Sequence, residues 1–230
     1  MRINTLSIGD THGRNNWQVV DPTQYDYVIF VGDYFDSWDV SNTVMLDNIR
    51  NIIEFKKQND NVILLLGNHD IHYLYSDPEF QGSGYRPEIA LTFQEILLQN
   101  QDLFKIAFQI ENVLWTHAGV NENWATSYLI DVPISEYANR LQEMLQVSKT
   151  RKALVAIGGS RGGFWPTGGP LWSDHYHDNI KNPIDGLVQI YGHTEVKDII
   201  KIKKADYSLI NIDCIAGSNK FYEYQINVIS

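Results

Sequence analysis

Apolar positions along this chain come in short blocks that stop abruptly at a glycine or a polar group. Residues 2–8 run into Gly9-Asp10, residues 27–31 into Gly32-Asp33, and residues 62–66 into Gly67-Asn68-His69-Asp70. Farther along, residues 113–116 stop at His117-Ala118-Gly119 and residues 187–191 at Gly192-His193. These blocks read as buried strands that deliver polar side chains to the edge of a sheet. Between them, Val44, Leu46, Ile49, Ile52, Ile53 and Lys56 fall at near-helical spacing, and residues 89–98 and 134–145 do likewise. Alternating strand and helix patterns argue for an α/β layered fold.

The C-terminal part reads differently. Residues 199–202, 209–214 and 221–229 are short, partly alternating and separated by no helical pattern, which predicts an antiparallel group closing a second sheet. Residues 76–87 and 158–169, rich in Gly, Pro and Ser, read as linkers. No repeat or domain boundary is evident, and a length of 230 residues suits one domain over 1–230.

Composition narrows the function. With 43% hydrophobic and 20% charged residues the chain is an ordinary globular sequence. A formal charge of -10 argues against nonspecific binding to nucleic acid or an anionic membrane, because both need Lys and Arg to neutralise phosphates. No apolar run approaches a bilayer span, residues 1–10 reach a charge too early for a secretory signal, and one cysteine, Cys214, forms no disulfide framework. The expected location is the cytoplasm. The expected place of Cys214 is the core of an apolar strand, as an inert thiol.

The polar groups at the strand ends carry the chemistry. A pair of cations needs carboxylate oxygens and imidazole nitrogens converging from several segments, with one group shared between the ions. Asp10 with His12, Asp33 with Asp36, Asn68 with His69, then His117 and His193 each follow a predicted strand. In an extended segment residues i and i+2 face the same way, so Asp10 and His12 can grip one ion together. Each group taken alone is as readily a turn or helix cap; the five together are not.

Gly9-Asp10-Thr11-His12-Gly13, Gly32-Asp33-Tyr34-Phe35-Asp36, Gly67-Asn68-His69-Asp70, Thr116-His117-Ala118-Gly119 and Gly192-His193-Thr194 resemble the five signature blocks of the calcineurin-like metallophosphoesterases, in that family's order. Within that superfamily, the first block and Leu171-Trp172-Ser173-Asp174 are similar to the phosphoprotein phosphatases and their bacterial diadenosine tetraphosphatase relatives. The resemblance implies a fold of two facing mixed β-sheets flanked by helices in four layers. It implies two divalent metal ions, with manganese the leading expectation and iron or zinc the alternatives. Asp10, His12 and Asp33 would hold one ion, and Asp33, Asn68, His117 and His193 the other. A hydroxide bridging the metals would attack phosphorus, while His69, oriented by Asp36, would protonate the leaving oxygen. The expected substrate is a phosphorylated small molecule or a phosphopeptide, with Asn68 also near the phosphate. A phosphodiester or a dinucleoside polyphosphate is the alternative, and a noncatalytic scaffold is the rival outside enzymes. A scaffold would be expected to lose ligands first, and every inferred ligand is present. Oligomeric state is not legible.

Two positions depart from the pattern. Phosphoprotein phosphatases follow the second block with Arg-Gly, and this chain has Ser37-Trp38 there. A second histidine often closes the last block, and this chain has Glu195 instead. Ser160-Arg161-Gly162-Gly163 offers a replacement clamp, since a guanidinium on a Gly-rich loop can hold a phosphate through a bidentate fork. The alternative is a surface loop whose aromatics pack on the core. Trp38, Trp165, Trp172, His175 and Tyr176 form either an aromatic wall for a nucleobase or aryl group, or ordinary packing. His72 and Tyr73 are expected to start a helix, and His175 and His177 to face solvent or line the pocket; none of the three histidines is expected to ligate metal.

Overall fold

The computed structural model describes residues 1–75 and 80–228. The first four residues of the 76–87 linker, and residue 229 of the last expected strand, lie outside that range. In chain order the strands are β1 Arg2–Ile8, β2 Tyr27–Phe30, β3 Val62–Leu65, β4 Phe104–Lys105, β5 Ala107–Ile110, β6 Val113–Thr116, β7 Val188–Tyr191, β8 Ile200–Lys203, β9 Ser208–Asn211 and β10 Tyr222–Asn227. They form two mixed five-stranded sheets, ordered β10-β1-β2-β3-β4 and β5-β6-β7-β9-β8.

In the first sheet β1, β2, β3 and β4 run parallel and β10 pairs antiparallel with β1. In the second, β6, β7 and β9 run parallel between antiparallel edges β5 and β8. The central strands are buried on both faces, which is why they read as near-continuous apolar runs rather than alternating ones. The strand period of two then divides their side chains between two cores. Ile29, Val31, Ile63 and Leu65 pack with Val113, Trp115, Ile190 and Ile210 between the sheets. Val28, Phe30, Val62 and Leu64 pack with the helices outside. Trp115 crosses the inner layer and donates from its indole N–H to Ser7 Oγ at 2.9 Å.

Helices cover the outer faces. Helix α1, Asn42–Gln58, starts where Ser41 Oγ accepts from the Val44 N–H and lays Met45, Ile49, Ile52 and Ile53 on the first sheet. Each fully buried isoleucine contributes roughly 1.5–3 kcal/mol. Lys56 and Lys57 occupy its last turn, where the helix dipole favours positive charge. The others are α2 Asn68–Leu74, α3 Ala90–Gln99, α4 Glu122–Tyr128, α5 Tyr137–Gln146, α6 Ser148–Leu154 and a short α7 Ile215–Ser218. None of the described helices is long and apolar enough to cross a membrane.

Three expectations need amending. The C-terminal strands do not all close the second sheet: β8 and β9 do, but β10 crosses back to pair with β1, Arg2 opposite Asn227. Its buried positions, Tyr222 and Ile226, fill the inter-sheet layer from the far edge. Residues 158–169 are not featureless, because a 3-10 turn at Gly159–Arg161 and a bridge between Gly158 and Trp165 pin the loop. His72 and Tyr73 sit in the last turns of α2, which starts at Asn68.

Candidate metal centre

Five strand exits converge at one end of the layered body. The parallel strands β1, β2 and β3 present residues 10, 33 and 68 at one edge of their sheet, and β6 and β7 present residues 117 and 193 at the facing edge. The turn geometry is strained where it meets the site: His12, Asp33, Asp36 and His193 all have left-handed backbones, with φ of 45°, 54°, 62° and 68°. Such conformations cost non-glycine residues free energy and persist when surrounding contacts over-determine them. Asp70 supplies much of that constraint. Its buried carboxylate accepts from the N–H groups of Asp33 at 2.8 Å, Tyr34 at 2.8 Å and Gly67 at 2.7 Å, locking the second and third exits together. Gly192 is required for space: a Cβ there would collide with the Asp10 carboxylate.

Three groups of ligand-type atoms result among the described residues: one is Asp36 with His69 and His72, and the other two overlap. Asp10, His12 and Asp33 converge within 4.8 Å of one another, as do Asp33, His117 and His193. Asp33 belongs to both. His12 donates from Nδ1 to the Phe35 carbonyl at 2.6 Å and points Nε2 at Asp33 Oδ2, 3.8 Å away. His117 donates from Nδ1 to the Val31 carbonyl at 3.0 Å. Its Nε2 therefore carries a lone pair, and it faces the acceptors Asn68 Oδ1 at 2.8 Å and Asp33 Oδ2 at 3.4 Å, with His193 Nδ1 at 3.2 Å.

The electrostatics fit cations. Burial pushes the Asp33 carboxyl up to about 8, and burial together with the nearby charges of Asp213 and Asp33 holds that of Asp10 well above the carboxylate range. Burial drives His117 down to about 3, burial and the His69 charge take His12 to about 4, and burial and His117 push His193 well below its ordinary value. Asp10 Oδ1 and His193 Nε2 are buried without a hydrogen-bond partner among the described residues. Carboxylate oxygens and imidazole nitrogens converging in this way are donors that divalent ions accept.

Beside this floor stands a second constellation. His69 donates from Nδ1 to Asp36 Oδ2 at 2.9 Å, and its ring lies 5.3 Å from that of His12. Burial works to lower its pKa, but the Asp33 charge and the Asp36 bond outweigh it and raise His69 to about 9. Asp36 is held from behind as well, with Tyr73 O–H donating to Oδ1 at 2.5 Å and His72 Nε2 2.7 Å from Oδ2. His72, Tyr73 and Asp70 are contributions the sequence reading missed. Helical phase carried the signal, since residues 69, 72 and 73 share one face of α2.

A cavity of about 450 Å³ opens over these groups, lined by Asp10, His12, Asp36, His69, Arg161 and His193 together with Arg14, Ser37, Trp38, Glu195 and Asp213. A larger cavity of about 640 Å³ lies elsewhere, beside β4 and α5, and its lining carries no convergent carboxylate and imidazole group. Arg161 reaches the rim from the 3-10 turn, its Nε 2.9 Å from Asp174 Oδ2 and its Nη2 donating to Thr194 Oγ1 at 2.6 Å. Asp174 opens a π-helical turn, His175–Asn179, and accepts from the Tyr176 and His177 N–H groups. Arg14 also lines the cavity, paired with Asp39 at 2.7 Å. Arg86 turns away, engaging Asn42 Oδ1 and the Ser37 carbonyl.

The aromatic set does not form one wall. Trp38 lines the cavity and is 86% exposed, whereas Trp172 is buried with its ring 5.2 Å from that of His193. Trp165 and Tyr176 are exposed but absent from the cavity lining. His175 is buried with Nδ1 2.8 Å from the Tyr191 hydroxyl, while His177 pairs with Asp174. Cys214 is fully buried, but it lies beyond β9 at the start of α7 and not in a strand as expected.

A family model described as calcineurin-like phosphoesterase matches residues 3–209. No curated protein sequence matches the chain. Among solved structures, the chain is similar to a cold-active protein-tyrosine phosphatase of the psychrophile Shewanella sp., at 16% identity and a TM-score of 0.61, covering 96% of this chain and 75% of that one. It also aligns with a serine/threonine phosphatase from Saccharomyces cerevisiae, at 15% identity and a TM-score of 0.47, covering 99% and 81% of the two chains. A metallophosphoesterase from Sphaerobacter thermophilus aligns at 13% identity and a TM-score of 0.45, covering 92% and 76%. At such identity the Shewanella likeness is one of fold.

Proposed function

Because the chain belongs to the calcineurin-like phosphoesterase family, and is thus a phosphoric ester hydrolase, we propose that it works at two divalent cations as a phosphatase of the phosphoprotein phosphatase-like type, residues 1–230 acting as one domain. Asp10, His12 and Asp33 hold one cation, and Asp33, Asn68, His117 and His193 hold the other. Manganese is the ion we expect, with iron and zinc acceptable to the same donors. The observation that carries this reading is the convergence of Asp10, His12 and Asp33, and of Asp33, His117 and His193, in two groups of ligand-type atoms that share Asp33.

When bound, the cations neutralise phosphate oxygens and lower the pKa of water. The protein's own groups do the rest. Asp36 fixes the His69 ring through Nδ1, which leaves Nε2–H to donate a proton to the leaving oxygen. A raised pKa keeps that proton in place at neutral pH. Arg161, held by Asp174 and Thr194, faces the cavity as the phosphate-binding cation that Ser37 does not supply. Asn68 Oδ1 serves the second cation, and its unpartnered Nδ2 is available to the phosphate.

The test is an activity screen of manganese-reconstituted and metal-stripped protein on phosphopeptides, nucleotides, dinucleoside polyphosphates and aryl phosphate mono- and diesters. Turnover of monoesters that appears with metal and vanishes with its removal is expected. Equal rates with and without metal would sink the reading, and preference for diesters or dinucleoside polyphosphates would reassign the substrate class.

A further inference from the structure

Building on the two-cation reading, we propose that Asp213 is a further anionic determinant of the cation position formed by Asp10 and His12, acting from just outside the atoms that converge there. Residue 213 lies two positions beyond β9, in the sheet opposite β1. The two exits touch: a Cβ at Gly9 would collide with the Ile212 carbonyl oxygen and come within 3.4 Å of the Asp213 Cα. Asp213 is thereby set against the segment that carries Asp10, and both line the same cavity.

Its main chain is satisfied, the N–H donating to Asn211 Oδ1 at 3.1 Å and the carbonyl accepting from the Val196 N–H at 2.9 Å. Its carboxylate accepts no hydrogen bond from the described residues, although the residue is only 6% exposed. Asp10 Oδ1, beside it, is likewise buried without a partner. The guanidinium groups at that cavity are engaged elsewhere, Arg14 with Asp39 and Arg161 with Asp174 and Thr194. Neither carboxylate has a direct ion-pair partner, the Arg161 and Arg14 charges acting on Asp213 only from a distance, so a divalent ion at Asp10 and His12 would be drawn by both. Asp213 is not among the three residues whose atoms converge within 4.8 Å, which makes it a charge and outer hydrogen-bond partner rather than a close ligand. Glu195, at the neighbouring exit, is exposed and adds to the repulsion on Asp213.

Equilibrium dialysis against Mn²⁺ with metal analysis, on the parent and Asp213→Asn, tests this directly. The parent should bind two ions, and the variant should bind one of them about tenfold to a hundredfold more weakly, with the other unchanged. Without metal, the variant should unfold near pH 8 at a temperature equal to or above the parent's, since a buried negative charge has been removed. Binding curves that match the parent overturn the proposal. So does equal weakening of both ions together with a lower metal-free unfolding temperature, which marks a purely structural role. A parent that binds a single ion refutes the two-cation reading instead, and weakening or constancy of that one event then decides for or against Asp213. Should the Asn variant not fold, Asp213→Ser makes the same comparison.

Discussion

The floor of the site and its rim are built on opposite principles. The floor consists of short strand exits, several with left-handed backbones, tied together by Asp70 and by histidine bonds to main-chain carbonyls; Asp10, Asp33, Asn68 and His117 are buried and His12 and His193 half-buried. The rim consists of a 3-10 turn carrying a 27%-exposed Arg161 side chain and of Trp38 standing 86% exposed. On the proposed reading the floor gathers negative charge that bound cations would balance, and the rim leaves substrate choice to a few side chains. Catalytic power should therefore be concentrated in the floor and selectivity in the rim.

The most severe way to test that division is at Asp33, the ligand we propose the two cations share. Asp33→Asn should reduce bound metal from two ions to at most one and bring phosphate ester hydrolysis to background, read by metal analysis and an aryl phosphate assay. Retention of both ions would place the bridge elsewhere.

His69→Asn should keep its metal yet lower turnover on alkyl phosphates by about 10²–10⁴-fold, the usual contribution of a general acid. With an aryl leaving group the loss should shrink, because that oxygen departs with less need of a proton. Identical losses on both substrates, with chemistry rate-limiting, would remove His69 from the proton-donor role.

At the rim, Arg161→Ala should cost about tenfold to a hundredfold in kcat/KM, the worth of a charge-assisted hydrogen bond of roughly 1.5–3 kcal/mol. Inhibition by inorganic phosphate should weaken in parallel while metal content stays constant. Unchanged kinetics and phosphate affinity would shift the clamp to Arg14, which shares the cavity.

The gentlest test compares stabilities. Burial raises Asp33 to about 8 and, with repulsion from Glu195, Asp213 to about 7, and the charge of Asp33 with the Asp36 bond carries His69 to about 9 against its burial. Between about pH 7 and pH 9 the metal-free folded chain thus holds more protons than the unfolded one, so its stability falls as the pH rises through that window. His12, His117 and His193, whose values are depressed, still bind a fraction of a proton each in the unfolded state near pH 7 and oppose the slope there, an effect that has faded by about pH 8. Thermal unfolding of metal-stripped protein should show Tm dropping from pH 7 to pH 9, and added Mn²⁺ should raise Tm more at pH 9. A flat profile without metal would mean that the floor is less charged than its geometry implies.

The two regions also differed in how far they could be read in advance. The floor was legible as a cluster because each candidate ligand lies within a few residues of an apolar run, so strand pattern and the position of the polar group are one local signal. Asp213 follows a strand in the same manner, yet single residues with that grammar are common and nothing local marks it as facing Asp10. The rim was barely legible. The spacing around Arg161 pointed to a loop, but not to Asp174 and Thr194 as the groups that aim it.

What the sequence by itself determined was local: which segments are strands or helices, where they end, and which chemical groups stand at those ends. Periodicity and turn chemistry act over a few residues, and the family resemblance rests on blocks of that size. Tertiary structure alone decided the pairing of β10 with β1 across more than two hundred residues, the separation of Trp172 into the core from Trp38 in the cavity, and the closure of Tyr73, His72 and His69 on one carboxylate. Those outcomes depend on how two twisted sheets share an apolar layer and on which buried polar groups are left to satisfy one another, and both are properties of the packed whole rather than of any stretch of chain.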